Sequence, residues 1–91
     1  METVFLDAAA MTDRESVHDH LAARLHLPAY YGRNLDALFD LLSTREGETR
    51  LVVRNAALLP EKLGSYALPL LAVLRDAAAE NPGLTVSFEG P

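Results

Sequence analysis

Three short apolar segments, separated by long connections, constrain the fold of this 91-residue chain more than any other feature of its sequence. They are "TVFLD" at residues 3–7, "RLVVR" at residues 50–54 and "LTVSFE" at residues 84–89, and each has the length and composition of a β-strand. More than a dozen residues separate consecutive segments, which is typical of helical crossovers that join parallel strands by right-handed connections. The sequence therefore predicts a three-stranded parallel sheet with helices mainly against one face, in a two-layer α/β fold.

The connections carry signals for about four helices. Residues 12–15, "TDRE", match a capping box with Thr12 as N-cap and Glu15 as its partner, and apolar residues follow at helical spacing: Val17, Leu21 and Leu25. Pro28 is expected to stop this first helix, because a proline disfavours helical backbone in the residue before it.

Asn34 is a favourable N-cap for a second helix, whose predicted buried stripe is Leu35, Leu38 and Leu42. Two further helical segments are expected, a short one around residues 58–63 and a longer one that reaches Glu80. Pro69 is tolerated in the longer helix only if it lies in the first turn.

Composition narrows the class of protein and of partner. With 49% hydrophobic and 23% charged residues, the chain is predicted to form a single globular domain over residues 1–91. Thirteen acidic and eight basic residues give a net charge of -5, which disfavours nucleic acid and anionic membrane as partners and favours a cationic protein surface. The N-terminal segment is acidic where a secretory signal would be basic, so we expect a cytoplasmic protein.

Signals for catalysis, metal binding or cofactor binding are weak. None of the five glycines falls in a phosphate-binding pattern, and no serine lies in a nucleophile elbow. His18 and His20 would point about 200° apart around a helix, so they cannot share one metal ion. We therefore expect no enzyme activity, no metal and no cofactor, and three histidines that are solvated or half-buried.

Asp36 and Asp40 lie four residues apart on the second predicted helix, where like charges repel. Asp36 at N2 would interact favourably with the helix dipole, whereas Asp40 lies beyond the first turn and has no basic residue at positions 43 or 44. One interpretation is that Asp36 and Asp40 lie on an ordinary solvated face of the helix. The other is a binding surface, since aromatic residues surround the two carboxylates: Tyr30, Tyr31 and Phe39.

Residues 27–42, "LPAYYGRNLDALFDLL", resemble the "LPxYYGxNLDALWD" signature of the barstar family, the intracellular inhibitors of bacterial ribonucleases. The resemblance extends more weakly over nearly the whole chain, and "VLRDAAAENPGLTVSF" at residues 73–88 is similar to the family's last helix and strand. It implies a barstar-like fold and a second helix that blocks the active site of a barnase-like ribonuclease. It also implies an immunity role in the producing cell, a 1:1 complex and a protein that is monomeric when free.

Carried over residue by residue, the resemblance makes Asp40 the dominant contact, a carboxylate that takes the place of a substrate phosphate among the nuclease's cationic side chains. Asp36 would take a second cationic group, and Asp76 in the last helix would add a peripheral ion pair. The other residues implied to bind the partner are Tyr30, Tyr31, Gly32, Asn34, Leu35, Ala37 and Phe39.

Two positions depart from the family pattern. Phe39 replaces the usual tryptophan, and Arg33 stands where the family's best-known member has an acidic residue. Arg33 would either pair with Asp36 on the free helix or meet an acidic residue of a different nuclease. A protein-binding adaptor with the same fold, whose partner is not a nuclease, is the alternative function.

Overall fold

The three predicted strands form a parallel sheet in the computed structural model, which describes residues 1–90. They are β1 (Glu2–Asp7), β2 (Thr49–Arg54) and β3 (Leu84–Phe88). Their order in the sheet is β1-β2-β3, and both pairings are parallel. The predicted parallel α/β fold is thus confirmed, and the strand order follows the order in the chain.

The helices are α1 (Arg14–Leu25), α2 (Leu35–Ser43), α3 (Leu59–Leu63) and α4 (Ala67–Glu80). Three of them have nine residues or more, and α3 is a short helix of five residues. Short 3₁₀ turns cover residues 8–10, 56–58 and 64–66. Pro69 lies in the first turn of α4, as predicted, where its missing N–H leaves no helical hydrogen bond unmade.

One face of the sheet is buried under the helices, while the other is largely open. Alternate residues of each strand enter the core, namely Val4, Leu6, Leu51, Val53 and Leu84, with Val86 and Phe88 partly buried against it. Thr3, Arg50 and Thr85 lie in register on the opposite face and are exposed. The arrangement is the two-layer one that the sequence predicts, because side chains alternate between the faces of a strand.

The N-terminus of α1 differs from the prediction. Asp13, not Thr12, is the N-cap: its side chain accepts from the Ser16 N–H at 2.8 Å, and the Ser16 hydroxyl accepts from the Asp13 N–H at 3.0 Å. The capping box is therefore shifted by one residue, and Ser16 takes the place predicted for Glu15. Aspartate is a stronger N-cap than threonine, which accounts for the shift.

The helical run Ala56–Glu80 is long and apolar enough, by length and composition alone, to cross a membrane. It is not one helix, because Gly64 has a φ of 56° between α3 and α4 and breaks the run there. Its buried residues belong to the core of the domain: Leu59, Ala67, Leu70, Leu74 and Ala77. Core helices of globular proteins pass the same test of length and composition.

Candidate functional site

The start of α2 is fixed by Asn34, as the sequence predicts. Its side-chain oxygen accepts from the Ala37 N–H at 2.8 Å, and its amide donates to the Gly32 carbonyl at 3.1 Å. One side chain thus joins the preceding loop to the first turn of the helix. A Cβ at Gly32 would come within 3.2 Å of the Asn34 amide nitrogen and 3.3 Å of the Ala37 Cβ, so a larger residue there would require the capping side chain or the helix to shift by a few tenths of an ångström.

Asp36 and Asp40 are exposed on α2, on the side away from its buried residues Leu38 and Leu42. Residues four apart project in similar directions from a helix, so the two carboxylates form one acidic surface. The ion pairs found within residues 1–90 are Arg33–Asp19, Arg45–Glu2 and Arg54–Glu89, and none of them includes Asp36 or Asp40. Both carboxylates are therefore available to a cationic partner.

Arg33 does not pair with Asp36, so the first of its two predicted alternatives is wrong. Its backbone is left-handed, with a φ of 56°, which is uncommon for a non-glycine residue. Its guanidinium forms an ion pair with Asp19 of α1 and donates to the Glu15 carbonyl at 3.4 Å. The positive charge of Arg33 is thereby directed to α1, and Asp36 keeps its negative charge uncompensated.

The two tyrosines before the helix have different environments. Tyr30 is 80% exposed, as a residue that packs on a partner would be. Tyr31 is only 7% exposed, and its hydroxyl is hydrogen-bonded to His18 Nδ1. The expectation that the Tyr31 ring packs on a partner surface is therefore corrected: the ring lies in the core and supports the loop from below.

His18 also lies in a different environment from the one predicted. It is 3% exposed rather than solvated or half-buried, and its Nε2 is 2.8 Å from the Tyr66 hydroxyl. His20 is half-buried and accepts from the Asp7 N–H at 3.0 Å, while His26 is exposed. The helical period offered a signal, since His18 precedes the buried Leu21 by three residues.

Burial keeps this cluster neutral. It lowers the pKa of His18 below the ordinary value of 6.5, and nearby Arg33 lowers it further, while Asp19 acts in the opposite direction. Burial raises the pKa of Tyr31 to about 12, with a smaller contribution from Tyr66. At neutral pH the imidazole and both phenols are therefore uncharged, and one ring nitrogen donates while the other accepts.

Leu35, Ala37 and Phe39 are half-buried and pack against the core, so each presents only part of its surface beside the carboxylates. Asp76 is exposed on α4, which packs against α2. The Asn34 cap and α2 hold the predicted site residues between positions 30 and 40 on one continuous segment, whereas Asp76 lies on α4.

A cavity of about 280 Å³ adjoins the N-terminus of α2, and sequence reasoning did not identify it. Arg14 lies over the Tyr66 ring, 4.5 Å from its centroid, and the cavity is lined by Arg14, Glu15, His18, Arg33, Asn34 and Tyr66. Two arginines thus lie next to an acidic helix, so the surface around residues 30–40 carries both signs of charge.

Two side chains hold the C-terminal end of α2. The buried Asn81 amide donates to the carbonyls of Leu42, at 2.9 Å, and Arg45, at 3.0 Å. The Arg45 guanidinium in turn donates to the Leu25 carbonyl at 3.1 Å and to Thr49 Oγ1 at 3.1 Å. Both ends of α2 are thereby fastened to the rest of the domain, so its exposed face is presented on a rigid support.

The described part of the chain, residues 1–90, holds no group of three or more histidine or acidic side chains that could bind a metal ion. The surface on α2 is composed of carboxylates, aromatic rings and small residues. Its chemistry suits recognition of cationic groups.

Comparison with known proteins identifies the family. The model of the family described as "Barstar (barnase inhibitor)" matches residues 1–89. The chain belongs to the barstar family. A curated relative from Bacillus subtilis (strain 168), named "Putative ribonuclease inhibitor YrdF", is 38% identical over 81 residues, which cover 88% of this chain and 89% of the relative. The barstar match includes α1, α2 and all three strands, so it covers the acidic surface and the elements that support it.

Proposed function

We propose that this protein is an intracellular inhibitor of a barnase-like ribonuclease, and that α2 with the loop at residues 30–32 blocks the nuclease active site. The observation that carries the proposal is the pair of exposed carboxylates, Asp36 and Asp40, left without a cationic partner on a rigidly held helix of a barstar-family chain. Inhibition of a ribonuclease is also the role that the name of the YrdF relative states for that protein.

Asp40 is the principal contact in this proposal. A ribonuclease active site must bind an RNA phosphate, so it presents arginine, lysine and histidine side chains to a negative charge. The Asp40 carboxylate would occupy that position, where charge-assisted hydrogen bonds to a guanidinium are strong. Asp36, one turn earlier, would bind a second cationic group, and Asp76 on α4 would add an ion pair at the edge.

Tyr30 and the half-buried residues of α2 complete the proposed contact surface. Tyr30 exposes 80% of its surface before binding and supplies the aromatic area that energetically important contacts often use. Leu35, Ala37 and Phe39 would contribute apolar contacts around the carboxylates, while Gly32 and Asn34 would allow close approach of the backbone. Tyr31 would contribute through His18, by holding the loop in place.

The cavity beside α2 adds a condition on the partner. Arg14 is held over Tyr66 at 4.5 Å, next to Arg33. A nuclease that covers this region should therefore place a negative or hydrogen-bond-accepting group opposite Arg14, and cationic groups opposite Asp36 and Asp40. The second alternative for Arg33, an acidic residue of a different nuclease, would apply to the same region, since Arg33 also lines this cavity.

We propose no catalytic activity, because the surface offers no nucleophile paired with a base and no cofactor-binding loop. The protein would act in the cytoplasm of a bacterium that makes the ribonuclease, as a 1:1 complex that protects the cell until the enzyme is exported.

The test is affinity capture with the purified protein from extracts of its source bacterium, followed by RNA cleavage assays on the captured material. We expect a small basic ribonuclease whose activity is abolished at one equivalent of inhibitor. Asp40→Asn should release inhibition, while Glu61→Gln, which removes one negative charge from the exposed surface of α3, should not. Capture of a partner without nuclease activity through the same surface would replace this function with that of an adaptor.

A further inference from the structure

We propose that the outer edge of β3 binds a second copy of this chain, so that two β3 strands pair antiparallel about Val86 and join two sheets into one. The surface is distinct from α2, and the proposal does not depend on the partner of that helix. It revises the expectation of a monomeric free protein at high protein concentration.

The hydrogen bonds of the sheet show which backbone groups of β3 face outward. The Thr49 N–H donates to the Gly83 carbonyl at 2.8 Å, and the Glu89 N–H donates to the Val53 carbonyl at 2.8 Å. Residues 83, 85, 87 and 89 therefore direct their backbone groups toward β2, and residues 84, 86 and 88 direct theirs away from it. The Leu84 N–H is bonded to the Asn81 carbonyl, but no hydrogen bond within residues 1–90 uses the outward groups of Val86 or Phe88.

At the opposite edge of the sheet, outward backbone groups of β1 are hydrogen-bonded to side chains. On β1 the outward carbonyl of Phe5 accepts from Arg24 Nε at 3.0 Å, and the outward N–H of Asp7 donates to His20 Nε2 at 3.0 Å. Both side chains come from α1, which covers that edge. An uncovered edge strand is a template for pairing with another chain, and natural proteins usually protect it with charge, proline or cover. β3 has no proline or charged residue of its own between Leu84 and Phe88. Arg75 of α4 lies over the Phe88 ring, 5.6 Å from its centroid, but no hydrogen bond within residues 1–90 joins it to the outward backbone groups of β3.

The sequence of β3 is self-complementary for antiparallel pairing. Centred on Val86, the order apolar, hydroxyl, apolar, hydroxyl, apolar reads the same in both directions: Leu84, Thr85, Val86, Ser87 and Phe88. Val86 would face its counterpart, and Leu84 would face Phe88 of the other copy on the side toward the helices. On the open face, Thr85 would face Ser87, a favourable cross-strand pair.

The same pairing would form about four new backbone hydrogen bonds, from the free N–H groups of Val86 and Phe88 in each copy. It would also cover Val86 and Phe88, which the monomer leaves half-buried at the rim of its core. A five-residue strand gives a small contact. The dimer is therefore weak, forming in the micromolar to millimolar range of roughly 10 µM to 1 mM.

Sedimentation equilibrium of the full chain over that concentration range tests the proposal. We expect the weight-average mass to rise toward twice the chain mass. Val86→Pro removes an outward N–H that the folded monomer does not use, and should weaken association about tenfold or more. Thr3→Pro is the matched control, because Thr3 directs its N–H outward from the β1 edge, and it should dimerise as wild type does.

A second variant tests the same pairing without a proline, in case Val86→Pro impairs folding. Thr85→Lys combined with Ser87→Lys leaves the backbone intact and places lysines opposite lysines across the pair, so it should also give a monomer, with dimerisation restored by added salt. Slowed amide exchange of Val86 and Phe88 at high concentration should accompany dimerisation. A monomer at about 1 mM, or a dimer that persists in both variants, would overturn the proposal.

Discussion

His18 joins three parts of the chain through its two ring nitrogens. It belongs to α1, Tyr31 belongs to the loop before α2, and Tyr66 lies 48 residues away in the turn before α4. The hydroxyls and the imidazole satisfy one another in the interior, where an unpaired polar group would be costly. The loop that carries Tyr30 is therefore supported by a neutral, buried hydrogen-bond cluster.

We predict that acidification destabilises the protein through His18 of this cluster and through His20 on the same helix. Burial lowers the pKa of His18, and burial together with Arg24 lowers that of His20, so the unfolded chain binds protons at a higher pH than the folded protein does. The stability that depends on neutral histidine is complete above about pH 6.5 and is lost as the pH falls through the lowered pKa values. Urea unfolding at a series of pH values measures this loss.

His18→Gln isolates the contribution of one residue. The variant should be less stable at neutral pH but should lose less stability between about pH 7 and pH 5, with the remaining slope due to His20. A His18→Gln profile parallel to that of the wild type would contradict the account of the cluster.

The sequence predicted residue environments well where local patterns decide them. Asn34 caps α2 and Asp36 lies at N2, because capping depends on neighbours within one turn. His18 was misplaced although it lies one helical turn before the buried Leu21, because the partners that satisfy its ring are distant in sequence. Tyr31 was misplaced because its hydroxyl partner, His18, lies 13 residues away on α1 and leaves no local pattern. The direction of Arg33 was also beyond local reasoning, since its partner Asp19 lies on another helix.

At the scale of the element, α2 depends on contacts at its C-terminal end as much as on its cap. Asn81 is buried and donates to the carbonyls of Leu42, in the last turn of α2, and Arg45, just after the helix, while its own oxygen accepts from the Gly83 N–H at 2.9 Å. One side chain thus links the end of α2, the end of α4 and the start of β3.

We predict that Asn81→Asp destabilises the fold by about 1–3 kcal/mol, because the carboxylate retains the acceptor for Gly83 but has no N–H to donate and places a charge in a buried site. The Arg45 carbonyl loses its side-chain donor, whereas the Leu42 carbonyl still accepts from backbone N–H groups of the following residues. The measurement is the free energy of unfolding in urea. Asn55→Asp is a useful comparison, since Asn55 donates one hydrogen bond, to Asp7, in a half-buried site. If Asn81→Asp proved no more destabilising than an exposed substitution, the proposed fastening of α2 would be wrong.

The strands and longer helices were predicted from the sequence because their apolar patterns are local and strong. Predicted strand limits differ from those of β1 and β2 by one residue, since flanking polar residues also pair. The first helix ends at Leu25, earlier than Pro28 implied, because His26 adopts a left-handed backbone and closes the helix. The strand order of the sheet was not predicted, because it depends on how the crossovers pack.

At the scale of the whole molecule, charge is distributed unevenly around a net value of -5. The acidic surface of α2 faces outward without cationic partners, while Arg33 and Arg45 are paired with acidic residues elsewhere. The net charge and the two carboxylates of α2 should therefore attract a basic nuclease, although Arg14 and Arg33 lie nearby.

We predict that association with the captured ribonuclease is fast at low salt and slows as salt is added, because screening over about 8 Å at physiological ionic strength removes long-range steering. Dissociation rates should change less, since close contacts are screened weakly once formed. Stopped-flow measurements across a range of salt concentrations provide the test. Association rates that hardly respond to salt would show that long-range electrostatic steering does not contribute to binding.

We propose that Asp40 serves binding whereas Asp36 also stabilises the helix, and paired measurements of stability and inhibition on alanine variants test this difference. Asp36→Ala should lower the free energy of unfolding by about 0.3–1 kcal/mol, because Asp36 lies in the first turn. Asp40→Ala should leave stability nearly unchanged, or raise it slightly by relieving repulsion, yet weaken inhibition of the ribonuclease by at least about 2 kcal/mol, mostly through faster dissociation. An Asp40→Ala protein that inhibits as tightly as the wild type would contradict the assignment of α2 as the surface that blocks the nuclease.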